Sequence, residues 1–161
     1  MAATPSDVSA RSVAWLSSLP AAAVAASVSL PAATLDGPGF CEEAMTFGEG
    51  QRLFGVLCRP MSPAPERPVL LIVNAGRNSH VGWARSSVLL ARELAAEGIA
   101  SLRFDLAGIG DGRDRPGAAD TVDAVLYNPA NDSQIVDAVV LLAARGFGPV
   151  AMLGACCGAY L

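Results

Sequence analysis

The chain of 161 residues is long enough for one domain and short for two. Its hydrophobic fraction of 52% and charged fraction of 16% indicate a protein with a substantial core and exclude a disordered one. The formal net charge is −4 and the basic residues form no run, so a nucleic-acid partner is excluded.

Residues 1–36 are rich in alanine and serine, and we expect them to form a flexible or loosely helical leader. The most apolar stretch, 13–30, contains four serines and a proline, which makes it a poor membrane span. Asp7 lies upstream and Arg11 is the one positive charge there, so a secretory signal is disfavoured. Residues 37–161 are predicted to form a partial α/β domain.

The four cysteines, Cys41, Cys58, Cys156 and Cys157, are irregularly spaced, and two of them are adjacent. This pattern favours reduced thiols in a cytoplasmic protein over a disulfide framework. The sequence has no Cys-x-x-Cys pair and no histidine–cysteine cluster that would bind zinc. We therefore expect neither a metal nor a cofactor.

The predicted domain begins with two strands, 40–47 and 52–58, that flank a Gly-Glu-Gly-Gln turn and so form a hairpin. Three further strands follow at 69–73, 99–104 and 150–153, separated by helices at 86–97 and 131–145. Strands that alternate with helices predict parallel pairing through right-handed crossovers. The expected fold class is α/β, with a mostly parallel sheet and an N-terminal antiparallel hairpin.

Each predicted helix has an apolar stripe that can pack on this sheet. Leu90 and Leu94 share one face of the first helix. Ile135, Val139 and Leu142 share one face of the second helix.

The sequence ends within a few residues of the last predicted strand. A sheet that stopped there would have an uncovered edge, and the helix expected after the strand is missing, so the sequence favours a domain truncated after residue 161. For the 161-residue polypeptide we expect poor solubility or self-association through the open edge.

A glycine-flanked cysteine directly follows the last strand, in the stretch Gly-Ala-Cys-Cys-Gly at 154–158. A nucleophile on a sharp strand-to-helix turn needs small residues two positions to either side, because larger side chains would clash. Cys156 would then sit at a helix N-terminus, where the positive end of the helix dipole favours a thiolate. The alternative is that Cys156 and Cys157 are buried apolar residues in an ordinary turn.

Two main-chain amides are candidates for an oxyanion hole. The N–H of Cys157 would point to the same space as the Cys156 sulfur. The small-residue loop Asn-Ala-Gly-Arg follows the first buried strand, and its Gly76 N–H is the best-placed second donor, with Ala75 or Arg77 as alternatives. A simple strand-to-helix loop is the other interpretation.

Two further loops carry polar side chains. The glycine-rich stretch at 105–112 lacks the spacing and the following helix of a dinucleotide-binding loop, so that function is rejected. Asp105, Asp111 and Asp114 could bind a metal, but a solvated loop in which Asp105 accepts hydrogen bonds from nearby backbone N–H groups is favoured. His80 could contact a substrate or act as a base for the thiol, but a polar loop histidine is favoured.

Three stretches together resemble the α/β-hydrolase superfamily: Asn-Ala-Gly at 74–76, Leu-Arg-Phe-Asp-Leu-Ala-Gly-Ile-Gly-Asp at 102–111, and Gly-Ala-Cys-Cys-Gly at 154–158. The likeness covers residues 37–161 and is strongest to serine-aminopeptidase-like hydrolases, including those that accompany exosortase systems. It implies the N-terminal part of an α/β-hydrolase fold, a nucleophile at Cys156, and oxyanion donors from Cys157 and the Gly76 region. It also implies an acid and a histidine from later strands, which this sequence does not contain.

The sequence therefore predicts a hydrolase that acts on an ester, thioester or small amide through Cys156, with a small-molecule acyl substrate. One alternative is an acyltransferase that uses the same thiol to pass the acyl group to an alcohol or a sugar. The other alternative is a truncated, non-catalytic chain. Because a missing proton relay costs orders of magnitude in rate, we expect little or no esterase turnover from the 161 residues themselves.

Overall fold

The structure is a computed structural model that describes residues 6–18, 33–62, 67–114, 121 and 125–159. The chain divides into two compact units, Met1–Pro31 and Ala32–Leu161. In the first unit, helix α1 spans Ser6–Ser18 and is exposed from Ala10 onward. The rest of the predicted leader up to residue 32 lies outside the described residues. No helix within the described ranges is long and apolar enough to cross a membrane.

The second unit is built on one six-stranded sheet. Its strands are β1 (Thr34–Gly37), β2 (Phe40–Phe47), β3 (Leu53–Pro60), β4 (Val69–Ile72), β5 (Ser101–Asp105) and β6 (Val150–Leu153). Their order across the sheet is β1-β2-β3-β5-β4-β6. Helix α2 (Ser86–Ala96) lies between β4 and β5 in the chain, and helix α3 (Asn131–Ala144) lies between β5 and β6.

The predicted hairpin and the predicted parallel strands are both present. β2 and β3 pair antiparallel from Phe40 opposite Pro60 to Phe47 opposite Leu53. β4 pairs in parallel with β5 on one side and with β6 on the other. The sheet as a whole is mixed, because β3 pairs antiparallel with β5 and β1 pairs antiparallel with β2. The carboxyl ends of β4, β5 and β6 therefore meet at one edge of the sheet.

Strand β1 was not predicted from the sequence. Three of its four residues are exposed, so no apolar alternation marks it. Its backbone pairs with β2 from Thr34 opposite Glu43 to Gly37 opposite Phe40. The sheet thus begins at Thr34, ahead of the predicted domain start at residue 37.

Helices α2 and α3 pack on opposite faces of the sheet. Leu57 of β3 belongs to the cluster that contains Leu142 of α3, whereas the next residue, Cys58, packs with Ala91 and Ala95 of α2. Successive side chains of a strand point to opposite faces, which explains this division. The predicted stripe on α2 lies at the margin of its buried face, where Leu90 is half-buried.

Helix α3 buries part of the predicted stripe, since Leu142 lies in the core and Ile135 packs partly buried against it. Asn131, Gln134 and Leu142 are buried, whereas Val139 is 37% exposed. The Gln134 carboxamide accepts a hydrogen bond from the Ala107 N–H at 2.7 Å and donates one to Asn131 Oδ1 at 3.0 Å. These bonds let two polar side chains occupy core positions. The prediction is wrong only at Val139, because an apolar pattern cannot reveal that Asn131 and Gln134 are hydrogen-bonded and buried.

A buried ion-pair cluster joins α2 to the sheet. The carboxylate of Glu42 lies 3.0 Å from Arg103 Nη1 and 2.7 Å from Arg92 Nη2. Burial would raise the pKa of Glu42, but the two guanidinium groups outweigh burial and lower it. Burial, with a contribution from Glu42, raises the pKa of the neighbouring Cys58 thiol to about 11, so Cys58 is held as a neutral thiol.

Candidate active site

A sharp turn follows β6 and places Cys156 at its tip. β6 ends at Leu153, and a short 3-10 helix spans Cys156–Ala159. Cys156 has a φ of 56°, in the left-handed region that non-glycine residues avoid, and its side chain is exposed. Strain of this kind costs about 1–3 kcal/mol and concentrates at functional sites. This is the strand–turn–helix arrangement that a nucleophile elbow requires.

The two glycines that flank this turn are required by close backbone approach. A Cβ atom at Gly154 would lie 2.0 Å from the Gly158 carbonyl oxygen. A Cβ atom at Gly158 would lie 2.3 Å from the carbonyl oxygen of Asn74, which lies two residues beyond the end of β4. The turn is therefore packed both against itself and against the neighbouring loop, as the small-residue pattern predicted.

The structure brings Cys157 and Gly76 together, but the contact is made by the Cys157 side chain and not by its backbone N–H. The Gly76 N–H donates a hydrogen bond to Cys157 Sγ at 3.0 Å, and Cys157 is buried. This bond holds the loop after β4 against the turn. The Gly76 N–H, which the sequence analysis assigned to an oxyanion hole, thus has an intramolecular acceptor in this structure.

The four cysteines differ in accessibility, and all of them are free thiols. Cys58 and Cys157 are buried and Cys41 is half-buried, whereas Cys156 is exposed. A hydrogen bond with Asp36 raises the pKa of the Cys41 thiol, which disfavours its thiolate. The most accessible thiol of the chain is therefore the one at the tip of the turn.

Asp105, the last residue of β5, fixes the loop after β4. Its buried carboxylate accepts hydrogen bonds from Asn74 Nδ2 at 2.9 Å, from the Asp111 N–H at 3.0 Å and from the His80 backbone N–H. His80 Nδ1 lies 2.7 Å from the same carboxylate. Asn74 Oδ1 accepts from the Leu106 N–H at 2.9 Å, which ties the loop to the end of β5 a second time.

These contacts also decide the charge of Asp105. Burial would raise its pKa, but the hydrogen bonds from His80, Asn74 and the Asp111 N–H outweigh burial and lower it. The predicted backbone hydrogen bonds to Asp105 are confirmed. The prediction of a solvated loop is wrong for this residue, because its carboxylate is fully buried as an anchor between two loops.

His80, Asp105 and Asp111 bring potential metal-ligand atoms within 4.8 Å of one another. Both carboxylate oxygens of Asp105 already accept hydrogen bonds, and His80 Nδ1 faces one of them. A metal ion there would have to displace these bonds. The hydrogen bonds of Asp105 are sufficient to explain why these residues lie together: they anchor the loop after β4.

A pocket of about 250 Å³ opens beside the turn. Ala155 of the turn, Asn74 and His80 of the anchored loop, Leu153 of β6 and Leu90 of α2 contribute to its lining. In open α/β sheets, ligands bind outside the carboxyl ends of the strands. This pocket occupies that position.

Comparison with known proteins bears on the fold. No protein-family model and no curated protein matches the sequence. The structure is similar to a cold-adapted esterase from an Arctic intertidal metagenomic library, with a TM-score of 0.57 and 16% identity over 78% of this chain and 54% of the esterase. It is also similar to a hypothetical protein from Pseudomonas aeruginosa (TM-score 0.52, 19% identity, 73% of this chain and 36% of that one). A third similar structure is described as m3DLH (TM-score 0.52, 21% identity, 75% of this chain and 51% of that one).

The strand order, the helices on both faces and the turn after β6 define an α/β-hydrolase-type fold over the second unit. The predicted fold is therefore confirmed for this part of the chain. The chain spans between 36% and 54% of the length of the three similar structures.

Proposed function

We propose that Cys156 is the nucleophile of a hydrolase that, in the intact protein, acts on an ester, a thioester or a small amide. The observation that carries the proposal is an exposed thiol at a strained φ of 56°, on a turn that accepts only glycine at its two flanks. A cysteine that merely fills space in a core needs neither exposure nor strain.

The proposed reaction has two steps. In the first, the Cys156 thiolate adds to the carbonyl carbon, and the bond to the leaving group breaks to give a thioester on Cys156. The leaving group takes up a proton and departs as an alcohol, a thiol or an amine. In the second step, water adds to the thioester and the C–S bond breaks, which releases the carboxylic acid and restores the thiol.

The oxyanion of the tetrahedral intermediate would be stabilised by main-chain N–H groups, those of Cys157 and of the Gly76 region. The short contact from the Gly76 N–H to Cys157 Sγ supports this, because it holds that amide next to the nucleophile's neighbour. An oxyanion is a stronger acceptor than a thiol sulfur and would compete for the same N–H. The amides of Ala75 and Arg77 remain the alternative donors.

Proton transfer in this proposal relies on a histidine and an acid from later strands of the intact protein, as the family resemblance implies. The single histidine of the sequence, His80, has its Nδ1 directed at Asp105. We assign His80 to positioning the loop.

The experiment is a reaction of the 161-residue chain with p-nitrophenyl acetate, followed by release of nitrophenolate. We expect slow release that stops near one equivalent per chain, because acylation needs only the thiol whereas deacylation needs the proton relay. Cys156→Ala should abolish this release.

Cys41→Ala is the matched control, since it removes a half-buried thiol of β2 that lies outside the proposed site and should leave the release intact. Equal release from the Cys156→Ala chain and the unaltered chain would contradict the proposal. So would sustained turnover that persists in Cys156→Ala.

We further propose that the chain resides in the cytoplasm, because its four free thiols are typical of a reducing compartment.

We also propose that the chain self-associates through the β6 edge of the sheet. Met152 and Leu153 of this edge strand are 45% and 44% exposed. Sedimentation velocity should detect species larger than a monomer, and Met152→Glu should reduce their amount. Val136→Glu is the control, because it places the same charge at an exposed position of α3, away from the β6 edge. A monodisperse monomer would refute the self-association.

A further inference from the structure

The turn that leads into α2 carries unusual backbone strain beside the candidate active site. Gly82, Ala84 and Arg85 have φ values of 75°, 49° and 66°, so three of four consecutive residues are in the left-handed region. A Cβ atom at Gly82 would lie 2.4 Å from Ser87 Oγ, which shows how tightly this turn folds onto the start of α2. A non-glycine residue in this region is strained, and such strain persists only when the surrounding structure imposes it.

The remaining residue of this turn is Trp83, whose side chain is 79% exposed. It also contributes to the lining of the 250 Å³ pocket, which Ala155 of the turn also lines. A tryptophan that is held in water by a strained turn gains nothing from core packing. The strained turn instead positions Trp83 at the pocket, where a bound group would cover the indole ring.

The chemistry of the pocket limits what that group can be. The described residues that line it include no lysine, arginine, aspartate or glutamate. Its one titratable residue is His80, whose Nδ1 is directed at Asp105. Its lining combines apolar residues, among them Ile72, Val73 and Leu90, with uncharged polar residues such as Asn78, Ser79, Ser86 and Ser87. An anionic group would lose its hydration here without gaining a cationic partner, so the pocket favours an uncharged, apolar group.

The volume sets an upper limit on size. Sites for drug-sized ligands occupy about 300–1,000 Å³, and a cavity of about 150 Å³ suffices for benzene. At about 250 Å³ this pocket fits one aromatic ring with a short linker, or a short aliphatic chain.

We infer that Trp83 is a specificity-determining residue and that the pocket binds the uncharged aromatic or short aliphatic acyl group of the substrate. The identification of the bound group as an acyl group rests on the proposed function of Cys156. The binding of an uncharged apolar group against Trp83 does not depend on it.

The test uses the Cys156→Ala chain, so that no reaction interferes with binding. The chain contains two tryptophans, Trp15 in α1 and Trp83. With Trp15→Phe added, the fluorescence reports Trp83 alone, and with Trp83→Phe added it reports Trp15 alone. We expect phenylacetamide to quench the Trp83 fluorescence saturably and to leave the Trp15 fluorescence unchanged.

Phenylacetate, the anionic counterpart of the same size, should bind at least about tenfold more weakly. By calorimetry, Trp83→Ala should weaken phenylacetamide binding about tenfold, the loss expected for one aromatic contact, whereas Trp83→Phe should retain most of it. Equal binding of amide and carboxylate, or full affinity in Trp83→Ala, would overturn the inference. Such a result would not affect the proposed acylation of Cys156. If instead phenylacetamide bound as expected but Cys156 were not acylated, only the assignment of the bound group as an acyl group would be overturned.

Discussion

Asp105→Asn should lower the free energy of unfolding by about 3–5 kcal/mol, the loss expected when a buried charge network is broken. Both carboxylate oxygens of Asp105 face donors, from Asn74 and the His80 backbone on one side and from the His80 ring and the Asp111 N–H on the other. An asparagine NH₂ group would therefore meet a donor in either orientation. Chemical denaturation followed by circular dichroism measures the loss.

The pH dependence should follow from the lowered pKa of Asp105. A carboxylate whose pKa is lower in the folded than in the unfolded protein stabilises the fold fully above its unfolded pKa of about 4. That contribution is lost as the pH falls through the folded pKa. The gap in stability between the unaltered chain and Asp105→Asn should thus be largest at neutral pH and shrink below about pH 4.

Asp111→Asn is the matched control, because the Asp111 side chain is 66% exposed and lies 3.8 Å from His80 Nδ1, whereas its backbone N–H, which the variant keeps, donates to Asp105. It should cost less than about 1 kcal/mol. If both variants unfolded at the same denaturant concentration as the unaltered chain, Asp105 would not be the anchor described here.

The second large effect is expected at the turn itself. Gly154→Ala should cost about 3 kcal/mol, at the upper end of overpacking penalties. The new methyl group would lie 2.0 Å from the Gly158 carbonyl oxygen, which is backbone and cannot swing aside. Because the turn must open to accept it, the one-equivalent release of nitrophenolate should also be lost.

Gly146→Ala is the control for Gly154→Ala, because it measures the cost of a positive φ without a steric clash. Gly146 has a φ of 81° and open space where its Cβ would be, so alanine there should cost only about 1 kcal/mol. Thermal denaturation of the two variants side by side gives the comparison. Equal melting temperatures would show that the turn tolerates a methyl group, contrary to the geometry.

Much of the fold was predictable because its signals are local. Strand β4 is a continuous apolar run, and the β2–β3 hairpin surrounds a glycine-containing turn. The glycines at 154 and 158, two positions to either side of Cys156, predicted the turn after β6. Each of these signals depends only on residues that are close together in the sequence.

The rest depends on partners that are distant in sequence. Asp105 is buried because its donors include His80, 25 residues earlier, and Asn74, 31 residues earlier. Gln134 enters the core because it binds the Ala107 N–H, 27 residues away. A polar residue in isolation predicts exposure, so Asp105 was assigned to a solvated loop and the burial of Gln134 was not predicted.

The strain around Trp83 had no signal at all in the sequence. Ala84 and Arg85 are not residues that favour the left-handed region, and their conformation is imposed by the fold of the turn onto α2. The same holds for the positive φ of Cys156, which the flanking glycines permit but do not themselves require.

The most direct test of a Cys156 nucleophile is the site of the acetyl group left by p-nitrophenyl acetate, located by fragmentation of the peptide that contains both adjacent cysteines. We predict a thioester on Cys156, with Cys157 and Cys58 unmodified and Cys41 modified far more slowly. An acetyl group found first on Cys41 or Cys157, with Cys156 unmodified, would contradict the account.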